Sequence, residues 1–227
     1  GGSSSAVTTG FQAVMSSRAK RLFTVWKSAG ACGGPELCSR VLGHRRIIGR
    51  WSTSGMPMNE KSVRLREQLI RNHHTIEKHR ELRAPLYDTL CARLGTGTAA
   101  GKLGISVDTL APGMRGCPYH FHYAQEEAFV VLEGEGSLRV AGEMLPLVVG
   151  DVVFIPPGPD YPHQIVNTSE APLTFLSIST RESPEVVEYP DSGKYLAMAR
   201  GTREGVAHSF DHVHRAADEL DYWDGEP

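Results

Sequence analysis

His120-Phe121-His122 sets two imidazoles two positions apart. On a β-strand, residues i and i+2 face the same way, so both rings can reach one ion. Glu127 follows His122 by five positions, an odd offset that would put it on the opposite face of an unbroken strand. The chain between them must therefore turn or bulge, or Glu127 must belong to the next strand, with Phe129 and Val131 on its face. His163 lies much farther along, after Pro156-Pro157-Gly158, at the start of His163-Gln-Ile-Val-Asn167. Two antiparallel segments can bring it opposite the first pair. Three imidazoles and one carboxylate suit one divalent transition metal: Fe, Mn, Ni, Zn, Co or Cu. Oxygen ligands alone would favour Mg or Ca, and a thiolate set would favour structural zinc. Four protein ligands in an octahedral site leave two positions for water, oxygen or a chelating substrate, which is what metal catalysis requires.

These residues sit in a stretch that reads as short strands. Segments at 104–110, 128–132, 137–140, 144–149, 152–155, 163–167 and 173–179 are rich in β-branched and aromatic residues, and turn signals separate them. That spacing predicts a β-sandwich or barrel, an all-β fold, rather than a parallel α/β sheet. Gly134, Gly136, Gly150 and Gly158 fit tight turns that call for positive φ. Val130, Leu132, Val153 and Ile155 are expected to pack the barrel interior. Upstream, residues 59–71 predict one short helix with Asn59 as its N-cap. No second helix follows a short turn, so the pattern does not suggest a DNA-reading helix-turn-helix. The glycines at 95–101 have neither Walker nor dinucleotide spacing and are expected to form a loop.

The long pattern resembles the cupin superfamily. Its first motif is Gly, five residues, His-x-His, three or four residues, Glu, six residues, Gly. His120, His122, Glu127 and Gly134 match it, whereas six residues separate Gly113 from His120. Glu126 competes for the acidic position, but seven residues separate it from Gly134, which favours Glu127. The second motif is Gly, five residues, Pro-x-Gly, two residues, His, three residues, Asn. Gly150, Pro156, Gly158, His163 and Asn167 match, with four residues, 159–162, in place of two. The resemblance covers roughly residues 87–181 and is strongest to small single-domain bacterial cupins. It implies a double-stranded β-helix, or jelly-roll, barrel preceded by a short helix and a partly ordered extension. It also implies one metal on His120, His122, Glu127 and His163, and a homodimer. Some members of that group carry a sugar-phosphate isomerase label.

Two classes of function are expected from this. The first is a metal-dependent enzyme acting on a small oxygen-rich substrate, by dioxygenase or by sugar or keto isomerase chemistry. The second is a non-catalytic module that binds or senses a small molecule, since fold alone does not fix function. A tyrosine beside a metal can donate a proton, which makes Tyr119, Tyr123 and Tyr161 catalytic candidates. Arg139 and Gln125 are candidates for substrate contacts. Cys117 lies three positions before His120 and could stand near the site. The histidines of His208-Ser-Phe-Asp-His212-Val-His214 are expected on the surface of a C-terminal extension over 182–227.

Composition bounds the rest. The chain has 227 residues, 24 Lys and Arg against 26 Asp and Glu, and four cysteines. The balance gives no electrostatic case for nucleic acid, and four thiols in so long a chain do not make a disulfide framework. No apolar run is long enough to span a bilayer, and a cytoplasmic protein is expected. Residues 1–57 hold eight basic side chains and one acid. They form a basic, Ser/Gly-rich stretch, similar in composition to a transit peptide and expected to be a flexible leader. Residues 58–86 are expected to be a helical or extended lead-in to the barrel.

Overall fold

The structure is a computed structural model that describes residues 58–203 and 206–227. The expected leader over 1–57, with Cys32 and Cys38, lies outside the described residues. Among the described residues the one α-helix is Glu60–Leu69 (α1), and Asn59 caps it by accepting the Ser62 N–H at 2.9 Å. None of its side chains is buried. Its end meets the 95–101 loop: the Ala99 N–H donates to the Gln68 carbonyl at 2.9 Å, and the Arg71 guanidinium, just past the helix, donates to the Gly97 carbonyl at 3.0 Å.

The strands follow in chain order: His79–Arg83 (β1), Tyr87–Arg93 (β2), Leu103–Leu110 (β3), Phe121–His122 (β4), Glu127–Glu133 (β5), Gly136–Val140 (β6), Glu143–Leu147 (β7), Val152–Ile155 (β8), His163–Val166 (β9), Leu173–Thr180 (β10), Glu185–Tyr189 (β11), Lys194–Arg203 (β12) and Val206–Arg215 (β13). Among the described residues all strand pairings are antiparallel and form three sheets: β1-β2-β3-β10-β5-β8, β13-β12-β11-β4 and β7-β6-β9. This is the mostly-β, double-stranded β-helix architecture expected from the sequence. Among the described residues, strand structure begins at His79 and continues past Arg181 through β11, β12 and β13. The His208–His214 stretch lies on β13, the outer strand of its sheet.

The core is built from Leu110, Phe129, Val131, Leu138, Leu147, Ile155, Ile165, Leu173 and Phe175. This corrects part of the expected interior. Val130 and Leu132 are half-buried on the opposite face of β5, because that strand starts at Glu127 and turns the odd positions inward. Ile155 is core and Val153 packs against it, as expected. Gly134, Gly150 and Gly158 have φ of 79°, 96° and 109°. Gly136 differs: its φ is not positive, and glycine is required there because a Cβ would meet the Val166 carbonyl and a Leu173 methyl at 2.7 Å.

Asn167 closes the turn from β9 to β10. Its side chain is fully buried; Nδ2 donates to the carbonyls of Leu110 at 3.1 Å and Ala171 at 2.8 Å, and Oδ1 accepts from the Ser169 N–H and hydroxyl. Every polar atom of this buried amide is thereby satisfied. Among the described residues, no helix is long and apolar enough to cross a membrane.

Candidate metal centre

Each sheet delivers one of the four expected side chains directly. Glu127 opens β5, His163 opens β9, and His122 ends β4. His120 joins them through an isolated bridge to His163: the His163 N–H donates to the His120 carbonyl at 2.8 Å and the reverse bond is 3.1 Å. The odd offset between His122 and Glu127 is resolved by a change of strand. The longer loop before His163 does not carry that residue away, because the Gly158 N–H donates to the His122 carbonyl at 2.7 Å.

Three imidazole Nε2 atoms converge on one carboxylate oxygen. Glu127 Oε2 lies 2.8 Å from His163, 3.6 Å from His122 and 3.7 Å from His120. The ligand atoms of His120, Glu127 and His163 all lie within 4.8 Å of one another, and His122 flanks that tighter group. Second contacts fix the ring orientations. His120 Nδ1 is 2.8 Å from the Pro118 carbonyl and His163 Nδ1 is 3.2 Å from the Tyr161 carbonyl. A carbonyl only accepts, so the Nδ1 of His120 carries its proton and its Nε2 lone pair is turned toward Glu127, whereas His163 Nε2 hydrogen-bonds Glu127 Oε2 at 2.8 Å. Lone pairs facing a carboxylate repel unless a cation lies between them. This set therefore fits a divalent first-row ion, and the carbonyl partners are the kind that orient metal-binding histidines.

Electrostatics agree with that donor set. Burial, reinforced by His163, pushes His120 down to about 4, and burial also lowers His122. Both rings are therefore neutral near pH 7. Burial alone would raise the Glu127 carboxyl, but the His163 hydrogen bond and the neighbouring imidazoles outweigh it and hold it below its ordinary range. An acid-stability prediction follows for metal-free protein. Between roughly pH 6.5, the ordinary histidine value, and about 4, where folded His120 titrates, the unfolded chain binds more protons than the folded one. Stability should fall with acidification across that window, by up to ~1.4 kcal/mol per pH unit for each such histidine. Glu127 acts in the same direction at lower pH. Urea midpoints at pH 7.5, 6 and 5 in the presence of a chelator test this, and a flat profile would contradict it.

Glu185 is a residue that sequence reasoning missed. Its side chain is fully buried, accepts the backbone N–H groups of Tyr123, Ala124 and Gln125 at 3.0, 3.3 and 2.6 Å, and places Oε2 3.9 Å from His122 Nδ1. That Nδ1 is buried and has no hydrogen-bond partner. Glu185 thus moulds the turn between His122 and Glu127 and faces the one imidazole that lacks a carbonyl to orient it. Glu185→Gln is expected to lower metal affinity by roughly 10–100-fold and to destabilise the chain by about 1.5–3 kcal/mol. Metal titration and urea unfolding of the same sample measure the two effects. Tyr189 is a second unanticipated neighbour. Its ring stacks on His120 at 6.0 Å, and burial pushes its phenol up to about 12, so it stays protonated.

The remaining candidates divide. Tyr119 is buried under the Arg139 guanidinium, 3.8 Å from its ring centroid, and Arg139 also binds Asp191 through two hydrogen bonds at 2.6 and 2.9 Å. Tyr123 is exposed and its hydroxyl bonds Glu188 at 3.1 Å. The exposed Tyr161 meets the site through its backbone carbonyl. Cys117 does stand at the site, with Sγ 3.7 Å from His120 Nδ1, and burial holds its thiol protonated. Gln125 is buried and serves the Glu185 turn.

Comparison with known proteins agrees with this geometry. Residues 106–179 match the Cupin domain family. A solved sugar phosphate isomerase of the cupin superfamily from Silicibacter pomeroyi shares 27% identity over 60% of this chain and 82% of its own, with a TM-score of 0.51. A candidate sugar phosphate isomerase from Acidithiobacillus ferrooxidans shares 26% identity over 69% of this chain and 97% of its own, with a TM-score of 0.57. The glucose-6-phosphate isomerase of Pyrococcus horikoshii is 32% identical over 90 residues, 34% of this chain and 47% of that protein. The chain spans about half the length of the curated relatives it matches. Motif residues, barrel topology and these likenesses agree that residues 106–179 form a cupin domain.

Proposed function

We propose that this protein is a metal-dependent isomerase of a small phosphorylated hydroxy-carbonyl compound, with His120, His122, Glu127 and His163 holding one divalent transition metal. The observation that carries the reading is the convergence of three imidazole Nε2 atoms on Glu127 Oε2 within 3.7 Å. The isomerase names of the relatives favour this over oxygen-dependent cleavage. Interconversion of an aldose and a ketose moves a proton between adjacent carbons and develops negative charge on neighbouring oxygens. A bound divalent ion supplies Lewis-acid stabilisation of that charge.

The chain's own residues prepare the site for it. The Pro118 and Tyr161 carbonyls orient two of the imidazoles. Phe129, a core residue 5.6 Å from the His163 ring, forms an apolar floor that excludes water. Tyr189, protonated at neutral pH, keeps a phenolic hydrogen available beside His120. Metal analysis of freshly purified protein, followed by a panel of aldose and ketose phosphates with oxygen uptake monitored in parallel, tests the reading. Stoichiometric metal with metal-dependent interconversion is the expected result. Oxygen consumption, or saturable binding without turnover, would overturn it; the latter would favour a sensing module.

A further inference from the structure

The β1–β2 hairpin carries a second group of metal-ligating side chains that shares no residue with the cupin site. His79 and Cys91 are directly paired across the two strands, and Glu81 lies two positions from His79 on the same face. The His79 nitrogen, the Glu81 oxygen and Cys91 Sγ all lie within 4.8 Å of one another, and His79 Nε2 is 3.0 Å from Glu81 Oε1. The donors differ in access. His79 and Glu81 side chains are 48% and 40% exposed, whereas Cys91 is 7% exposed beneath them. Since β1 is the outer strand of its sheet, an ion can arrive from solvent and meet a buried sulfur.

We propose that His79, Glu81 and Cys91 form a second cation site, selective for a borderline-soft ion such as zinc, that clips the outer strand of the large sheet to its neighbour. An imidazole, a carboxylate and a thiolate are zinc's three ordinary ligand types. Asp108 stands behind the sulfur: it is Cys91's partner on β3, bonds the thiol, and accepts the Ser106 hydroxyl at 2.6 Å. Without an ion the thiol is inert, since burial and the Asp108 charge raise it far above neutrality. Binding exchanges the Cys91 proton, released to solvent, for a metal–sulfur bond. The proposal is independent of the isomerase reading, which uses no thiolate.

Cobalt(II) makes the test specific, because a thiolate ligand adds a sulfur-to-metal charge-transfer band that imidazole and carboxylate ligands do not. The probe is Co(II) added to the full chain carrying Cys32→Ser, Cys38→Ser and Cys117→Ser, which leaves Cys91 as the last of the four thiols. A charge-transfer band that zinc displaces is expected. His79→Ala should weaken the binding behind it by at least about tenfold, the loss expected even for an outer partner. Failure to see the band, or a band unchanged by His79→Ala, would overturn the site. If the triple variant folds poorly, zinc stoichiometry decides on the wild-type chain. Cys91→Ser should then bind one equivalent fewer, and equal stoichiometry would refute the proposal.

Discussion

Glu127→Gln should remove about one equivalent of bound metal relative to wild-type protein and lower the proposed isomerase turnover by on the order of 100-fold or more, since even an outer partner of a metal ligand is worth roughly 10–100-fold. The reason lies in one atom. Glu127 Oε2 faces three Nε2 atoms, at 2.8, 3.6 and 3.7 Å, and among the described residues Glu127 is the one carboxylate that all three face. An amide of equal size removes the charge that attracts a dication. Its NH₂ end can then hydrogen-bond the lone pairs that would otherwise face the ion. His163→Ala should act in the same direction, because it removes the shortest of the three contacts and opens a cavity beside Phe129. Elemental analysis of both variants, alongside wild-type protein, reads the effect directly. Unchanged metal content in Glu127→Gln would remove this residue from the site.

The second large effect concerns the turn after β5. Gly134→Ala is expected to cost roughly 3–5 kcal/mol, enough to leave a marginally stable domain largely unfolded near 37 °C. Two terms combine there. The φ of 79° costs an L-residue about 1–2 kcal/mol. The added Cβ would also sit 2.3 Å from the Pro172 carbonyl oxygen and 3.2 Å from Leu173 Cα. Those are backbone atoms at the start of β10, beside fully buried Leu173, so they cannot step aside cheaply. Gly142→Ala is the control. Its φ is 88°, yet nothing lies within 4 Å of its Cβ position, so it should show the conformational cost alone. Equal urea midpoints for the two variants would mean that the close approach at Gly134 carries no weight.

The sequence made the centre legible because metal chemistry restricts residue type and spacing together. His-x-His on a strand, a distant His after a Pro-Gly turn, and an acid on the next strand leave few alternatives, and the structure brings those four side chains together. The second motif's Asn167 was legible only as a motif match, and its role as a buried amide that closes a turn came with the structure. Glu185 was not. It stands about sixty positions from the N–H groups it accepts, and a glutamate beside two valines on a strand looks like an ordinary surface residue. Its role arises only when β11 pairs with β4. β1 was hidden for another reason: His-Arg-Glu-Leu-Arg has no alternation of apolar and polar residues, and that strand exists through pairing with β2 rather than through burial. The inward face of β5 followed from Glu127 itself, since Phe129 and Val131 share its parity. Hydrophobicity alone could not separate them from Val130 and Leu132.

The pairing of β4 with β11 separates the recognisable unit from the working one. The cupin match stops at residue 179, and a fragment trimmed to that limit would keep all four expected ligands. It would nevertheless discard the strand against which His122 is hung, the acid that shapes the bend leading to Glu127, and the aromatic ring resting on His120. The shortest fragment with an intact centre therefore runs at least through Tyr189, and an expression boundary drawn from the motif alone would leave the ligands without their scaffold.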